Sequence, residues 1–175
     1  MRSVIAILAV LVLGAAGYIY LGLFDVAATD HHSAPVQWVM EQARIRSIRA
    51  HAAGIEAPPG LDTQQDVLAG ADHFAAHCAV CHGAPGVPKG DIARGLYPEP
   101  PDLAKAAAVY SPGELFWILK HGIKMTGMPA WSDHSDDELW SAVAFIEKLP
   151  GMSEADYAQL VMANMTNGGH HHHHE

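Results

Sequence analysis

The sequence predicts an all-α protein in which a membrane-spanning N-terminal helix precedes a small helical domain. The first 24 positions of the 175-residue chain form a dense apolar block, whereas the rest has a normal soluble composition. Helix-start signals recur along that remainder, with apolar residues at helical spacing behind them. The sequence has no alternating apolar and polar run of any length, so no β-strand is predicted.

Positions 4–24 contain no charged side chain, and about 20 apolar residues suffice to span the hydrocarbon core of a bilayer. Arg2 precedes this run and acidic residues follow it, which favours an N-terminus inside the cell. The alternative is a cleaved signal peptide with its small-residue site at Gly14-Ala15-Ala16. The apolar run continues beyond that site, so we predict that residues 1–25 are a transmembrane anchor, or an uncleaved signal.

Residues 26–60 are predicted to form a juxtamembrane basic helix followed by a Pro-rich linker. The helix should run from Pro35 to His51, because proline suits the first turn of a helix. Its positive charges are Arg44, Arg46 and Arg49. They would suit anionic lipid headgroups or an acidic partner, but we favour a solvated face. The side chains expected to pack on the domain are Trp38, Ile45 and Ile48.

Residues 61–165 carry three helix-start signals and are predicted to form the main domain. The segment from Thr63 to Asp66 resembles a capping box, and those beginning at Ser111 and Ser135 are stronger examples. The helices behind these last two boxes should end near Gly122 and at Pro150-Gly151. Two further segments complete the domain: a short helix at 153–163 and, at 83–101, a loop with four glycines and five prolines.

Cys78 and Cys81 are the two cysteines of the chain, and His82 follows them directly. A disulfide across so short a loop would add little stability. In a Cys-x-x-Cys-His motif, the thiols add to the two vinyl groups of a porphyrin and the imidazole falls under the iron. A zinc site would usually need a second ligand pair, and a thioredoxin-type site a βαβ setting. The motif therefore predicts one covalent haem c.

The charge of the chain bears on its partners. The formal net charge is −9, with only ten Lys and Arg residues. This balance argues against nucleic acid, whose phosphates need clustered cations, and favours a partner with a basic docking patch. Candidates for a positive rim, or for pairing with haem propionates, are Lys89, Arg94, Lys120 and Lys124.

The positions of Gly70 and Phe74 relative to the cysteine motif resemble those in the first helix of class I cytochromes c. The resemblance runs from about 62 to 149 and implies the class I cytochrome c fold, with helices around one covalent haem. It also implies that Gly70 lets the first and last helices cross closely, with Phe145 against it. Pro100-Pro101-Asp102-Leu103 is similar to the family's Gly-Pro-x-Leu turn.

That turn implies that the Pro101 carbonyl accepts a hydrogen bond from the second ring nitrogen of His82 and raises its basicity. Proline replaces the usual glycine here, and Pro98 is the alternative acceptor.

The segment Gly127-Met128-Pro129-Ala130-Trp131 resembles the family's Met-Pro-Ala-aromatic loop. The resemblance implies that the Met128 thioether is the second axial ligand, which would raise the reduction potential. Met125 competes for this role. Trp131 would pack near a haem edge and donate to a propionate, or simply belong to the core. His121 is expected to have a structural role beside a helix C-terminus. His73 and His77 are expected to lie on the surface.

These features predict a membrane-tethered monohaem cytochrome c, an electron carrier rather than an enzyme, with no small-molecule substrate. Its donor would be a quinol-oxidising complex or a dehydrogenase, and its acceptor an oxidase or reductase. The haem domain would lie on the periplasmic side of a bacterial inner membrane, tethered by the single-pass anchor. The alternative is a haem enzyme or gas sensor with an open or labile sixth site.

Residues 166–175 are predicted to be a flexible tail with five consecutive histidines, His170 to His174. An expression tag would explain this run, and so would a native segment that captures copper, nickel or zinc. The second explanation leaves a metal-handling protein as a further hypothesis.

Overall fold

The computed structural model describes residues 1–166, and every regular secondary-structure element in that range is a helix. The predicted all-α class is therefore confirmed for this part of the chain. Two compact units are present, one at residues 1–32 and one that begins at Ser33. The histidine tail lies outside the described residues, as does most of the predicted segment 166–175.

The first unit holds helix α1, Arg2–Tyr20. Its 19 residues have a mean hydropathy of 2.2 and contain no buried side chain, so it has the length and composition of a membrane span. A signal sequence shares these properties. The helix ends four residues before the predicted apolar run does, because Gly22 enters the left-handed region at φ +67° and breaks the backbone ladder.

The second unit contains the helices that the sequence predicts and three short ones that it does not. Their bounds are α2 Ala34–His51, α3 Gln64–His77, α4 Ala79–His82, α5 Asp91–Arg94, α6 Leu103–Ala107, α7 Pro112–His121, α8 Asp136–Lys148 and α9 Glu154–Thr166. The prediction of an uninterrupted loop at 83–101 is wrong, because α5 lies within it. The last helix also extends beyond its predicted end at 163.

The three predicted helix starts are capped as their sequences indicate. Ser111 and Ser135 each accept a hydrogen bond from the backbone N–H of the glutamate three residues later. Each glutamate carboxylate in turn accepts from the serine's backbone N–H at 2.8 Å, which completes the capping box. Thr63 accepts from the Asp66 N–H at 3.2 Å, but its own backbone N–H donates to the Gly60 carbonyl oxygen, so the box is incomplete there.

The core is built around the crossing of α3 and α8. A Cβ atom at Gly70 would lie 1.9 Å from the Ser141 carbonyl oxygen, so only glycine allows the two backbones to approach this closely. One turn further along α3, the rings of Phe74 and Phe145 lie 5.0 Å apart. Tyr157 of α9 packs on both rings. The predicted pairing of Gly70 with Phe145 across the crossing is confirmed.

Helix α2 packs on α7 and belongs to the second compact unit, although its sequence suggests a separate juxtamembrane segment. Ile48 is 2% exposed. The chain then passes so close to α7 that a Cβ at Gly113 would lie 2.1 Å from the Ile55 carbonyl oxygen. The prediction that Trp38 packs on the domain is wrong: its side chain is 62% exposed, because it precedes the part of α2 that contacts α7.

We expect Gly70→Ala to lower the free energy of unfolding by about 1–3 kcal/mol, the usual cost of overpacking. Alanine is the better helix former by about 1 kcal/mol, so a gain in stability would contradict the close crossing. Gly95→Ala is the matched control, because Gly95 has φ −92° and its nearest Cβ contact would be 3.6 Å. Denaturant unfolding of the two variants compares them directly.

Candidate haem-binding site

The attachment motif lies in a single turn that continues α3. Cys78 is the C-cap of α3 and the N-cap of α4. Its carbonyl oxygen accepts from the backbone N–H groups of Cys81, at 3.1 Å, and of His82, at 2.9 Å. The local turn therefore holds both thiols and the imidazole within five consecutive residues, and α3 anchors that turn to the core.

The two thiols fit covalent attachment better than redox or zinc chemistry. Both are free, and Cys78 is only 5% exposed. Burial, and secondarily the neighbouring Cys81, raise the pKa of the Cys78 thiol to about 12. A thioredoxin-type cysteine needs the opposite shift, towards a thiolate. Within residues 1–166, neither cysteine belongs to a group of three or more potential metal-binding side chains.

The His82 ring is held by one backbone hydrogen bond. Its Nδ1 lies 2.8 Å from the Pro101 carbonyl oxygen. A carbonyl can only accept, so Nδ1 carries the proton and Nε2 keeps the lone pair that an iron ion requires. Burial lowers the pKa of His82, the Pro101 hydrogen bond opposes that shift, and Lys89 lowers the pKa further. The imidazole is thus neutral and oriented by Pro101 rather than Pro98.

Lys89 fixes the segment that contains this acceptor. Its ammonium group donates to the Pro100 carbonyl oxygen and to the Glu99 carboxylate, both at 2.6 Å. The Lys89 carbonyl in turn accepts from the Arg94 guanidinium at 2.9 Å. The sequence offered Lys89 only as a candidate for a positive rim. The structure shows that it ties the residues around Pro101 to the loop after the motif.

The segment with the two candidate methionines forms a tight loop after α7. Gly122 turns the chain at φ +63°, and the Met128 carbonyl oxygen accepts from the Ile123 N–H at 3.1 Å. Met128 is half-buried and packs against the core. Met125 is 83% exposed, at the left-handed φ of 60°. The Met128 side chain therefore lies against the core, whereas the Met125 side chain is exposed to solvent.

The sequence profile of a family described as "Cytochrome C oxidase, cbb3-type, subunit III" matches residues 65–146, a little under half of the chain. The match runs from α3 to α8 and includes the motif, Pro101 and Met128. The match indicates a c-type cytochrome domain at residues 65–146. No curated protein matches the chain.

The cofactor of the cytochrome domain is one covalent haem c, which supplies a one-electron couple between ferrous and ferric iron. The residues present fit this group. Cys78 and Cys81 provide the two thiols for thioether bonds, and His82 provides a neutral imidazole with a fixed tautomer. The protein's contribution is to position these groups and to set the polarity around them.

Trp131 lies in the cytochrome domain among histidines. Its backbone N–H donates to the Leu119 carbonyl oxygen at 3.0 Å, and its side chain packs against the core. The Trp131 ring centroid is 5.0 Å from that of His77, 5.2 Å from His134 and 6.1 Å from His73. Surface placement is correct for His77, but His73 is half-buried.

Three of the four candidate rim cations are paired with carboxylates. Lys120 contacts Asp136 at 2.7 Å, and Lys89 and Arg94 contact Glu99 and Asp91. His121 is the last residue of α7, as its expected role beside the helix C-terminus requires, and its ring lies 5.0 Å from that of Trp117.

Lys89→Met should lower the midpoint reduction potential of the haem by the equivalent of about 1 kcal/mol or less, because a cation near His82 disfavours ferric iron. The variant also frees the Pro100 carbonyl. Lys148→Met removes the same charge from the last turn of α8, which is not part of this segment. Potentiometric titration that gave both variants the same potential would contradict the role of Lys89.

Proposed function

We propose that this chain is a membrane-tethered monohaem cytochrome c that transfers single electrons between redox proteins. The observation that carries the proposal is the Cys-x-x-Cys-His turn with its His82–Pro101 hydrogen bond, inside a domain matched to c-type cytochromes. A 19-residue apolar helix at the N-terminus supports the tether.

The proposal assigns the second axial position to Met128. The support is its packing against the core and the hydrogen bonds that hold its loop: the Met128 N–H donates to the Thr126 hydroxyl, and the Thr126 hydroxyl donates to the Ile123 carbonyl. A soft, neutral sulfur as the second ligand beside His82 would favour ferrous iron and would close the site to small molecules. Such a site suits electron transfer better than catalysis or gas sensing. Trp131, three residues on, would shield the haem edge.

The proposed partners are protein complexes. The family that the domain matches is described as a subunit of an oxidase, which favours a terminal oxidase as acceptor and a quinol-oxidising complex or dehydrogenase as donor. The net charge of −9 favours a partner surface with a basic patch. We place the haem domain on the periplasmic side of a bacterial inner membrane, since Arg2 precedes the span and acidic residues follow it.

Met128→Ala should abolish the weak long-wavelength charge-transfer band of the ferric protein, lower the reduction potential and let carbon monoxide bind the ferrous haem quickly. Met125→Ala is the matched control, because Met125 is exposed and in the same loop. Visible spectra, potentiometry and carbon monoxide flash photolysis provide the measurements. Loss of the band in the Met125 variant alone would transfer the ligand role to that residue.

Membranes that contain the intact chain test its transport role. The haem should be reduced when a quinol or a dehydrogenase substrate is added, and oxidised again by oxygen. The reoxidation rate should fall as ionic strength rises, because salt screens an acidic surface from a basic partner.

The control for that test replaces residues 1–25 with a cleavable signal peptide. The haem domain should then leave the membrane fraction and its reoxidation by membranes should slow. Haem that stayed at one redox level through both additions would contradict the transport role, and a mature chain whose mass lacks residues 1–25 would contradict the tether.

A further inference from the structure

Three histidine side chains meet beside the attachment turn. His73 and His77 lie one turn apart on α3, and His134 belongs to the segment that leads into α8. The ring centroids are 4.8 Å apart for His73 and His77, 5.0 Å for His73 and His134, and 5.3 Å for His77 and His134. One ring nitrogen from each lies within 4.8 Å of the other two.

This placement is set by the fold and not by three flexible surface side chains. Residues four apart on a helix share a face, which brings His73 and His77 together. The crossing of α3 and α8 at Gly70 brings the start of α8 to the same face. There, the His134 N–H donates to the Trp131 carbonyl oxygen at 3.2 Å, and Ser135 begins the capping box of α8.

The donor set has a chemical preference. Imidazole nitrogen suits zinc, copper and nickel, whereas calcium and magnesium prefer oxygen. Two histidines at i and i+4 with a third ligand from another segment form a common zinc arrangement, in which a fourth position holds water. His77 is exposed, so an ion among these rings would have access to solvent.

The local electrostatics agree with this preference. Burial, followed by the charges of His77 and His134, lowers the pKa of His73 to about 4, whereas Glu138 and Asp72 oppose that shift. The half-buried imidazole is therefore neutral at pH 7 and keeps a lone pair for a metal. Glu138 and Asp72 add negative potential at this cluster, which favours a bound cation.

We propose that His73, His77 and His134 bind one divalent transition-metal ion of the zinc, copper and nickel class, with the fourth coordination position open to water. The three ligands of this site are not the residues assigned to the haem, and none belongs to the histidine tail. The bound ion cross-links α3, one residue before Cys78, to the segment that follows the Met128 loop.

The test uses the full-length haem-loaded protein with His170 to His174 all replaced by serine, so that the tail does not compete. Zinc chloride is the probe, because zinc does not exchange electrons with haem. Isothermal titration should show one tight zinc site per chain. His73→Gln, His77→Gln and His134→Gln should each weaken it by about tenfold or more, as expected for the loss of a ligand. Zinc should also raise the thermal midpoint of the parent and not of these variants.

His121→Gln is the matched control, because His121 is also at a helix end beside a tryptophan, and it should bind zinc like the parent. A parent without a tight zinc site, or ligand variants that match the control, would overturn the proposal and leave the cluster as packing around Trp131. The Soret band and the thermal midpoint in EDTA check folding. If the half-buried His73 does not tolerate replacement, the exposed His77→Gln variant alone decides the outcome.

Discussion

The contact between the backbones of α3 and α8 at Gly70 and Ser141 sets the geometry of everything around it. No side chain fits between the two helices at this point, so their backbones are in direct contact there. The approach brings the Phe74 and Phe145 rings into contact at a tilted angle, and Tyr157 of α9 packs against both rings. It also fixes the end of α3, where the chain turns into the attachment motif.

A second constraint acts on the His82 ring at the end of the motif, and it consists of hydrogen bonds rather than packing. His82 depends on the Pro101 carbonyl, and that part of the chain depends on Lys89, which bonds the neighbouring Pro100 carbonyl and Glu99. Asp102 then caps α6 by accepting from the Ala104 N–H at 3.0 Å. The orientation of the imidazole therefore depends on a series of local hydrogen bonds. Substitution of each partner tests its effect on the haem.

The helix starts follow from local sequence, whereas the packing between helices does not. The capping boxes at Ser111 and Ser135 specify helix starts because the same four residues contain both hydrogen-bonding partners. The sequence predicts that α2 packs on the domain but not that it packs on α7, because a helix-forming pattern does not identify the surface that receives the helix. Trp38 illustrates this: its apolar character suggested burial, yet it lies beyond the contact.

The sequence by itself determined the helical class, the apolar N-terminal span and the haem-attachment chemistry, because each depends on residues that are adjacent or one turn apart. Only the tertiary structure decided between Met125 and Met128 as the interior side chain, gave Lys89 its place beside Pro100, and brought His134 to His73 and His77. These relations depend on how the helices and loops fold against one another, which the local pattern of residues does not specify.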